Sequence, residues 1–142
     1  MPGGQAKKYQ TQWASQFYVA AELTRHGYLV AFTLGNAPKI DLMACSPKGA
    51  DFLIQVKGQA TKNFWLLGPV QPRDDLFYVL VYLPSSGGLP SFFILTSQEV
   101  AKEREAYREH IEAVGGSYRD DMGGMNWSAA HKYEGDWAKL PP

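Results

Sequence analysis

The chain has 142 residues, of which 45% are hydrophobic and 13% aromatic, and its formal net charge is zero. This length fits one domain, and the apolar fraction is too high for a disordered chain. No apolar run approaches the roughly 20 residues of a membrane helix, and the first residues do not resemble a secretory signal. The single cysteine excludes an intramolecular disulfide and a cysteine-rich zinc site, so we expect a cytoplasmic protein.

The zero net charge is the sum of two halves of opposite sign. Residues 1–73 hold eight basic and three acidic residues, a net charge of +5. Residues 74–142 hold six basic and eleven acidic residues, a net charge of −5. Zero net charge taken alone argues against a nucleic-acid-binding protein, but the basic half can face a polyanion. Two differently charged solvent faces would explain the same asymmetry.

Periodicity and turn residues predict an α+β or mixed α/β fold, with its layers packed around one sheet. A first helix should run from about Lys8 to His26 and end at Gly27, which suits the left-handed cap position. The first three strands have connections too short for helices, which predicts an antiparallel meander. The predicted strands cover residues 28–34, 39–45, 51–57, 77–83 and 92–95, with an irregular stretch over 58–75.

The end of the chain predicts a second helix and an aromatic tail. Thr96 and Glu99 form a capping box that opens a helix to about Val114. We expect the tail, residues 117–142, to pack on a core of about residues 8–114, so that 1–142 is one domain. The expected anchors of the tail are Trp127, Tyr133 and Trp137, the last two on one short helix.

Polar residues that interrupt the apolar pattern mark the candidate site. At about 100° per residue, Gln16 lies in the middle of the buried stripe of the first helix. Alternation along the strands puts Asp41 on one face of the second strand, and Gln55 and Lys57 on one face of the third. Pairing through the turn near residue 48 puts Asp41 opposite them, so the four side chains should converge.

This patch suits the binding of a metal and a phosphate. The Asp41 carboxylate, the Gln55 side-chain oxygen and the Val56 carbonyl are hard ligands of the kind that Mg²⁺ or Mn²⁺ prefers. A bound metal would lower the pKa of a coordinated water and neutralise phosphate charge, while Lys57 could handle that water or the phosphate. A buried Asp41–Lys57 ion pair, hydrogen-bonded by Gln16 and Gln55, is the structural alternative.

Residues 10–67 resemble the PD-(D/E)xK nuclease superfamily, which shares the restriction-endonuclease-like fold. The matching parts are the helix from Gln16, the turn and strand Asn36–Asp41, and Phe52–Lys57 with its Gln-x-Lys. The resemblance implies an αβββαβ core with a central mixed sheet flanked by helices. It also implies a Mg²⁺- or Mn²⁺-dependent endonuclease that hydrolyses DNA phosphodiester bonds, and many members act as homodimers.

The resemblance assigns a role to each position of the motif. Asp41 matches the metal-binding aspartate and Lys57 the lysine, whereas Gln55 stands where most members have a glutamate. Gln16 stands where the resolvase-like branch often has a helix glutamate, and Glu22 could replace it only if the helix phase differed. Because both departures remove a negative charge, they predict weaker metal binding. Three functions stay open: an active endonuclease, an impaired nuclease-fold protein that binds DNA or a protein, and a structural accessory subunit.

Residues after the motif are candidates for contact with DNA. Gln59, Lys62 and Arg73 could contact the DNA backbone, and Trp65 could stack on a base. An ordinary solvated loop with a core tryptophan would explain the same residues.

Overall fold

A long helix opens the described part of the chain. The structure is a computed structural model that describes residues 4–142, so the first three residues of the predicted domain lie outside it. Helix α1 spans Gly4–Arg25, and Gly27 follows it with a left-handed φ of +89°. Val19 and Leu23 are fully buried and define the face of α1 that packs on the sheet. No helix between residues 4 and 142 has the length and apolar character needed to cross a membrane.

The central sheet has five strands in the order β1-β2-β3-β5-β6. The first three form the predicted antiparallel meander, β3 pairs with β5 in parallel, and β5 pairs with β6 antiparallel. This mixed sheet with flanking helices confirms the predicted fold class. The strands are β1 (Leu29–Phe32), β2 (Leu42–Cys45), β3 (Asp51–Gln59), β4 (Trp65–Leu66), β5 (Leu76–Tyr82), β6 (Ser91–Thr96) and β7 (Gly124–Met125), where β4 and β7 form a separate small sheet.

The order of the elements departs from αβββαβ at one point. The connection between β3 and β5 contains the short β4 and no helix, and helix α2 (Ser97–Ala113) follows β6 instead. The predicted capping box of α2 is present: Glu99 N donates to Thr96 Oγ1 at 3.0 Å, and Thr96 N donates to Glu99 Oε1 at 2.9 Å. The helix therefore begins where the sequence predicts.

Alternating side chains of β5 build two cores, one on each face of the sheet. Val79 and Val81 pack with Val19 of α1. Tyr78 and Leu80 point to the other face, which is covered by α2 and the tail. The apolar composition of β5 is explained by the burial of both of its faces.

The aromatic tail reaches both cores. Trp127 stacks on Trp65 with ring centroids 5.8 Å apart, and Tyr133 lies in the same core on the α2 face. Trp137 packs on the α1 face. Tyr133 ends one 3₁₀ helix and Trp137 begins the next, separated by Gly135 at φ +67°. The prediction that one short helix carries both aromatic residues is therefore wrong.

Ser15 of α1 lies directly against Gly58 of β3, which gives a test of the packing that positions the site. A Cβ atom at Gly58 would lie 2.1 Å from Ser15 Oγ and 2.7 Å from Ser15 Cβ. We expect Gly58→Ala to lower the free energy of unfolding by about 1–3 kcal/mol in urea titrations, because the helix must move off the strand. Gly88→Ala is the control, since its Cβ would meet nothing closer than 3.6 Å. Equal losses in both variants would contradict the close approach.

Candidate functional site

The candidate site lies at a fork where β2 ends and β3 continues. The last regular pair between these strands is Leu42 with Ile54. One residue earlier, Asp41 N still donates to Ile54 O at 2.9 Å, while Asp41 O accepts from Thr33 N at 3.1 Å. The backbone of β3 beyond Ile54 therefore has no strand on this side, and α1 lies there instead.

The Asp41 side chain takes the place of a strand partner at the first unpaired position of this edge of β3. Its Oδ2 accepts a hydrogen bond from Val56 N at 2.8 Å, and its Oδ1 accepts one from Gln16 Nε2 at 3.4 Å. Gln16 is 6% exposed, as its place on the buried stripe predicts. Glu22 lies outside the site, where it pairs with Arg25 at 2.9 Å. The predicted helix phase is therefore confirmed for both residues.

Gln12 closes the next two positions and was not among the predicted site residues. Its Nε2 donates to Val56 O at 2.8 Å, and its Oε1 accepts from Gly58 N at 3.1 Å. A carbonyl and an N–H two residues apart are what a neighbouring strand would pair with, and one amide side chain offers both partners. Gln12 lies one turn before Gln16, so the spacing of the two glutamines was the available signal.

Gln55 is held by three partners once its amide is oriented to satisfy them. Its Nε2 donates to Lys39 O at 3.2 Å and to the Tyr78 hydroxyl at 3.1 Å, and its Oε1 accepts from Lys57 Nζ at 3.0 Å. Lys39 has a left-handed φ of +60°. A carboxylate at position 55 could not donate to the Lys39 carbonyl, so the amide fits this environment better than the acid typical of the resembled family.

Lys57 and Asp41 approach the same region without contacting each other. Among the described residues, no nitrogen–oxygen distance within 4.0 Å joins Lys57 Nζ to the Asp41 carboxylate. Lys57 also lines a cavity of about 560 Å³, together with Lys7, Lys8 and Gln12. The buried contact ion pair considered as the structural alternative is therefore not formed.

Burial shifts the ionisation of both charged groups toward their neutral forms. It raises the pKa of the Asp41 carboxyl, although the Val56 N–H and the positive charge of Lys57 act in the opposite direction. It lowers the pKa of the Lys57 ammonium, and the charge of Lys39 lowers it further, while Asp41 opposes the shift. Groups perturbed in this way are typical of functional sites.

A divalent cation fits best at Asp41. Of the three predicted ligands, the Gln55 oxygen and the Val56 carbonyl each already accept one hydrogen bond, from Lys57 and Gln12, which leaves each of them a single lone pair. A carboxylate has about four lone-pair positions, so Asp41 can still bind a cation beside its two hydrogen bonds. Within residues 4–142, no three His, Cys, Asp or Glu side chains gather where they could hold a metal.

The residues predicted to contact DNA all have protein partners. Gln59 Nε2 donates to Asn63 O at 2.8 Å, and Lys62 Nζ lies 5.9 Å from the centroid of the Tyr82 ring. Arg73 pairs with Asp75 at 2.8 Å on the surface. Trp65 is 2% exposed, so it is a core residue, as the alternative interpretation held.

The environment of Gln55 generates a prediction about its replacement by the acid of the resembled family. Gln55→Glu should lower the free energy of unfolding by about 1–3 kcal/mol, because the Lys39 carbonyl loses its donor. Gln59→Glu is the matched control on the same strand, since it breaks a comparable bond to a backbone carbonyl at the surface. Urea titrations of both variants test this expectation, and a stability gain in Gln55→Glu would contradict the assigned amide orientation.

The resemblance to PD-(D/E)xK nucleases depends on a helix, two strands and the four side chains that they carry. The structure brings these side chains, Gln16, Asp41, Gln55 and Lys57, to the fork. No family model, curated protein or solved structure matches the chain. Membership of that superfamily stays a prediction.

Proposed function

We propose that the protein is a metal-dependent endonuclease of the PD-(D/E)xK type that hydrolyses DNA phosphodiester bonds at the fork. The observation that carries this proposal is the arrangement of Asp41 and Lys57. Both are half-buried charged groups whose pKa values burial shifts toward the neutral forms, yet they do not contact each other. A buried ion pair kept for structure needs direct contact to offset its desolvation, whereas a site for a phosphate needs separated groups of this kind.

Each side chain has a distinct role in this proposal. Asp41 would hold Mg²⁺ or Mn²⁺, which when bound supplies stabilisation of phosphate charge and an acidified water. Lys57 would donate to a phosphate oxygen or to the attacking water, since its ammonium has three donors and Gln55 uses one. Gln55 positions Lys57, and Gln16 orients the Asp41 carboxylate through its 3.4 Å hydrogen bond.

DNA is the proposed substrate because basic residues accompany Lys57. The four site side chains belong to residues 1–73, whose net charge is +5, and the cavity lined by Lys57 is also lined by Lys7 and Lys8 and, among the described residues, by no acidic residue. A polyanion is attracted to such a surface even when the whole chain is neutral. The single cysteine supports the accompanying proposal of a cytoplasmic location.

A specific observation favours a second function, that of a nuclease-fold protein that binds DNA without cutting it. One carboxylate serves the site, and both of its oxygens already accept hydrogen bonds from the protein. Two further predicted ligand oxygens, on Gln55 and Val56, are also engaged. These contacts would weaken metal binding while leaving the cationic surface unchanged.

A cleavage assay separates the two functions. With Mg²⁺ or Mn²⁺ and a supercoiled plasmid or branched DNA, Asp41→Asn and Lys57→Met should each reduce the cleavage rate by about 10²–10³-fold, as for loss of a charge-stabilising group. Asp51→Asn and Lys48→Met are matched controls, since both residues are exposed at the opposite end of the β2–β3 hairpin.

Each result of this assay has a defined meaning. Cleavage that survives both substitutions would contradict the endonuclease assignment. DNA binding that weakens with salt, without cleavage at any metal concentration, would support the second function. The absence of both binding and cleavage would contradict both functions.

The raised pKa of Asp41 predicts a pH-dependent stability difference. The folded-state pKa lies above the ordinary value of 3.8, so the ionised carboxylate disfavours folding at pH 7. Asp41→Asn should therefore melt at a higher temperature than the wild type at pH 7. The difference should shrink as pH falls through the folded pKa toward 3.8. Calorimetric scans measure it, with Asp51→Asn as control, and a difference that widens in acid would contradict the assignment.

A further inference from the structure

An exposed row of aromatic side chains borders the fork. Tyr9, Trp13 and Phe17 recur at intervals of four residues on α1 and are 60%, 37% and 58% exposed. The Trp13 and Phe17 rings lie 6.1 Å apart, and Phe17 lies 5.3 Å from the ring of Phe32, a half-buried residue of β1 that continues the row toward the core. We call these four residues the aromatic row. Single exposed apolar residues are ordinary on a protein surface, but several exposed rings on one side of a helix, two of them in contact, are characteristic of an interaction site.

The row is continuous with the candidate site. Trp13 directly follows Gln12, which binds Val56 and Gly58, and Phe17 directly follows Gln16, which binds Asp41. Successive residues of a helix are about 100° apart around its axis and rise about 1.5 Å. The Trp13 and Phe17 rings therefore lie next to the side of α1 that carries Gln12 and Gln16, within one helical turn of both glutamines.

The charges around the row favour an anionic occupant. Residues 1–40 contain a single acid, Glu22, which pairs with Arg25. Lys7, Lys8 and Lys39 are exposed, and no carboxylate pairs with them within the described part of the chain. A second copy of this chain packed on the row would bring like charges together, whereas a nucleic acid would neutralise them.

We propose that the aromatic row binds unpaired nucleobases of a DNA strand whose backbone lies at the fork, an inference that rests on the proposed function. Aromatic side chains beside a cationic groove bind single strands because every base has a flat face that can stack. In a duplex those faces are covered by neighbouring bases. The row thus selects single-stranded or locally unpaired DNA over continuous duplex.

Fluorescence anisotropy tests this selection with a labelled oligothymidylate and a duplex of equal length at low salt. The wild type should bind the single strand more tightly, and Trp13→Ala or Phe17→Ala should weaken that binding by about tenfold while changing duplex binding by less than about twofold. Tyr18→Ala is the matched control, because Tyr18 is a 44% exposed aromatic residue on another side of the same helix. Thermal melting of each variant checks that the fold is retained.

The outcomes distinguish this inference from the proposed function. Equal affinity for single strand and duplex, with row variants no weaker than Tyr18→Ala, would overturn the inference and leave the function standing. Loss of self-association in Trp13→Ala, seen by sedimentation without a change in DNA affinity, would instead assign the row to a second copy. Tighter binding of an oligouridylate would overturn DNA as the strand. Failure to bind any nucleic acid would contradict the proposed function as well.

Discussion

The unequal lengths of β2 and β3 impose the constraint on which the site depends. Regular pairing with β2 ends at Ile54, but β3 continues to Gln59. The backbone groups beyond this point are covered by α1, and covered backbone groups need hydrogen-bond partners. Asp41 and Gln12 supply them from side chains. The fork thus gathers a carboxylate and amides at one end of the sheet for a reason that is independent of any ligand.

The hydrogen bonds at the fork also explain how the half-buried charges of Asp41 and Lys57 are tolerated there. Asp41 gains a backbone donor and an amide donor, which offset part of the cost of its burial. Lys57 gains the Gln55 oxygen. These bonds do not fully compensate, since the pKa values of both groups are still shifted toward the neutral forms. The site is therefore held in place by its hydrogen bonds and destabilised by its charges.

Much of the geometry of the fork could be predicted from the periodicity of the sequence. Alternation along the strands and a turn near residue 48 place Asp41 beside Gln55, and the observed register agrees with that pairing. Three contacts could not be predicted, because each depends on a position that only the folded chain defines. Gln12 pairs with a backbone edge that exists only once β2 has ended, and Gln55 binds the carbonyl of Lys39, whose left-handed conformation no pattern indicates. The third contact is that of Gln55 with Tyr78, whose sequence context indicates an ordinary core residue of a strand buried on both faces.

The two amides that replace expected acids are explained by what they face. Gln16 faces the Asp41 carboxylate, where a second carboxylate would be repelled unless a cation lay between them. Gln55 faces a carbonyl on one side and an ammonium on the other, so it must both donate and accept. Glutamine satisfies both positions without a bound ion, whereas a glutamate at position 16 would face the Asp41 carboxylate and one at position 55 would leave the Lys39 carbonyl without its donor. The loss of negative charge and the completed hydrogen bonds are thus one feature. The polar groups of the fork have their partners without a metal, and a metal that binds shares the Asp41 oxygens with the donors already there.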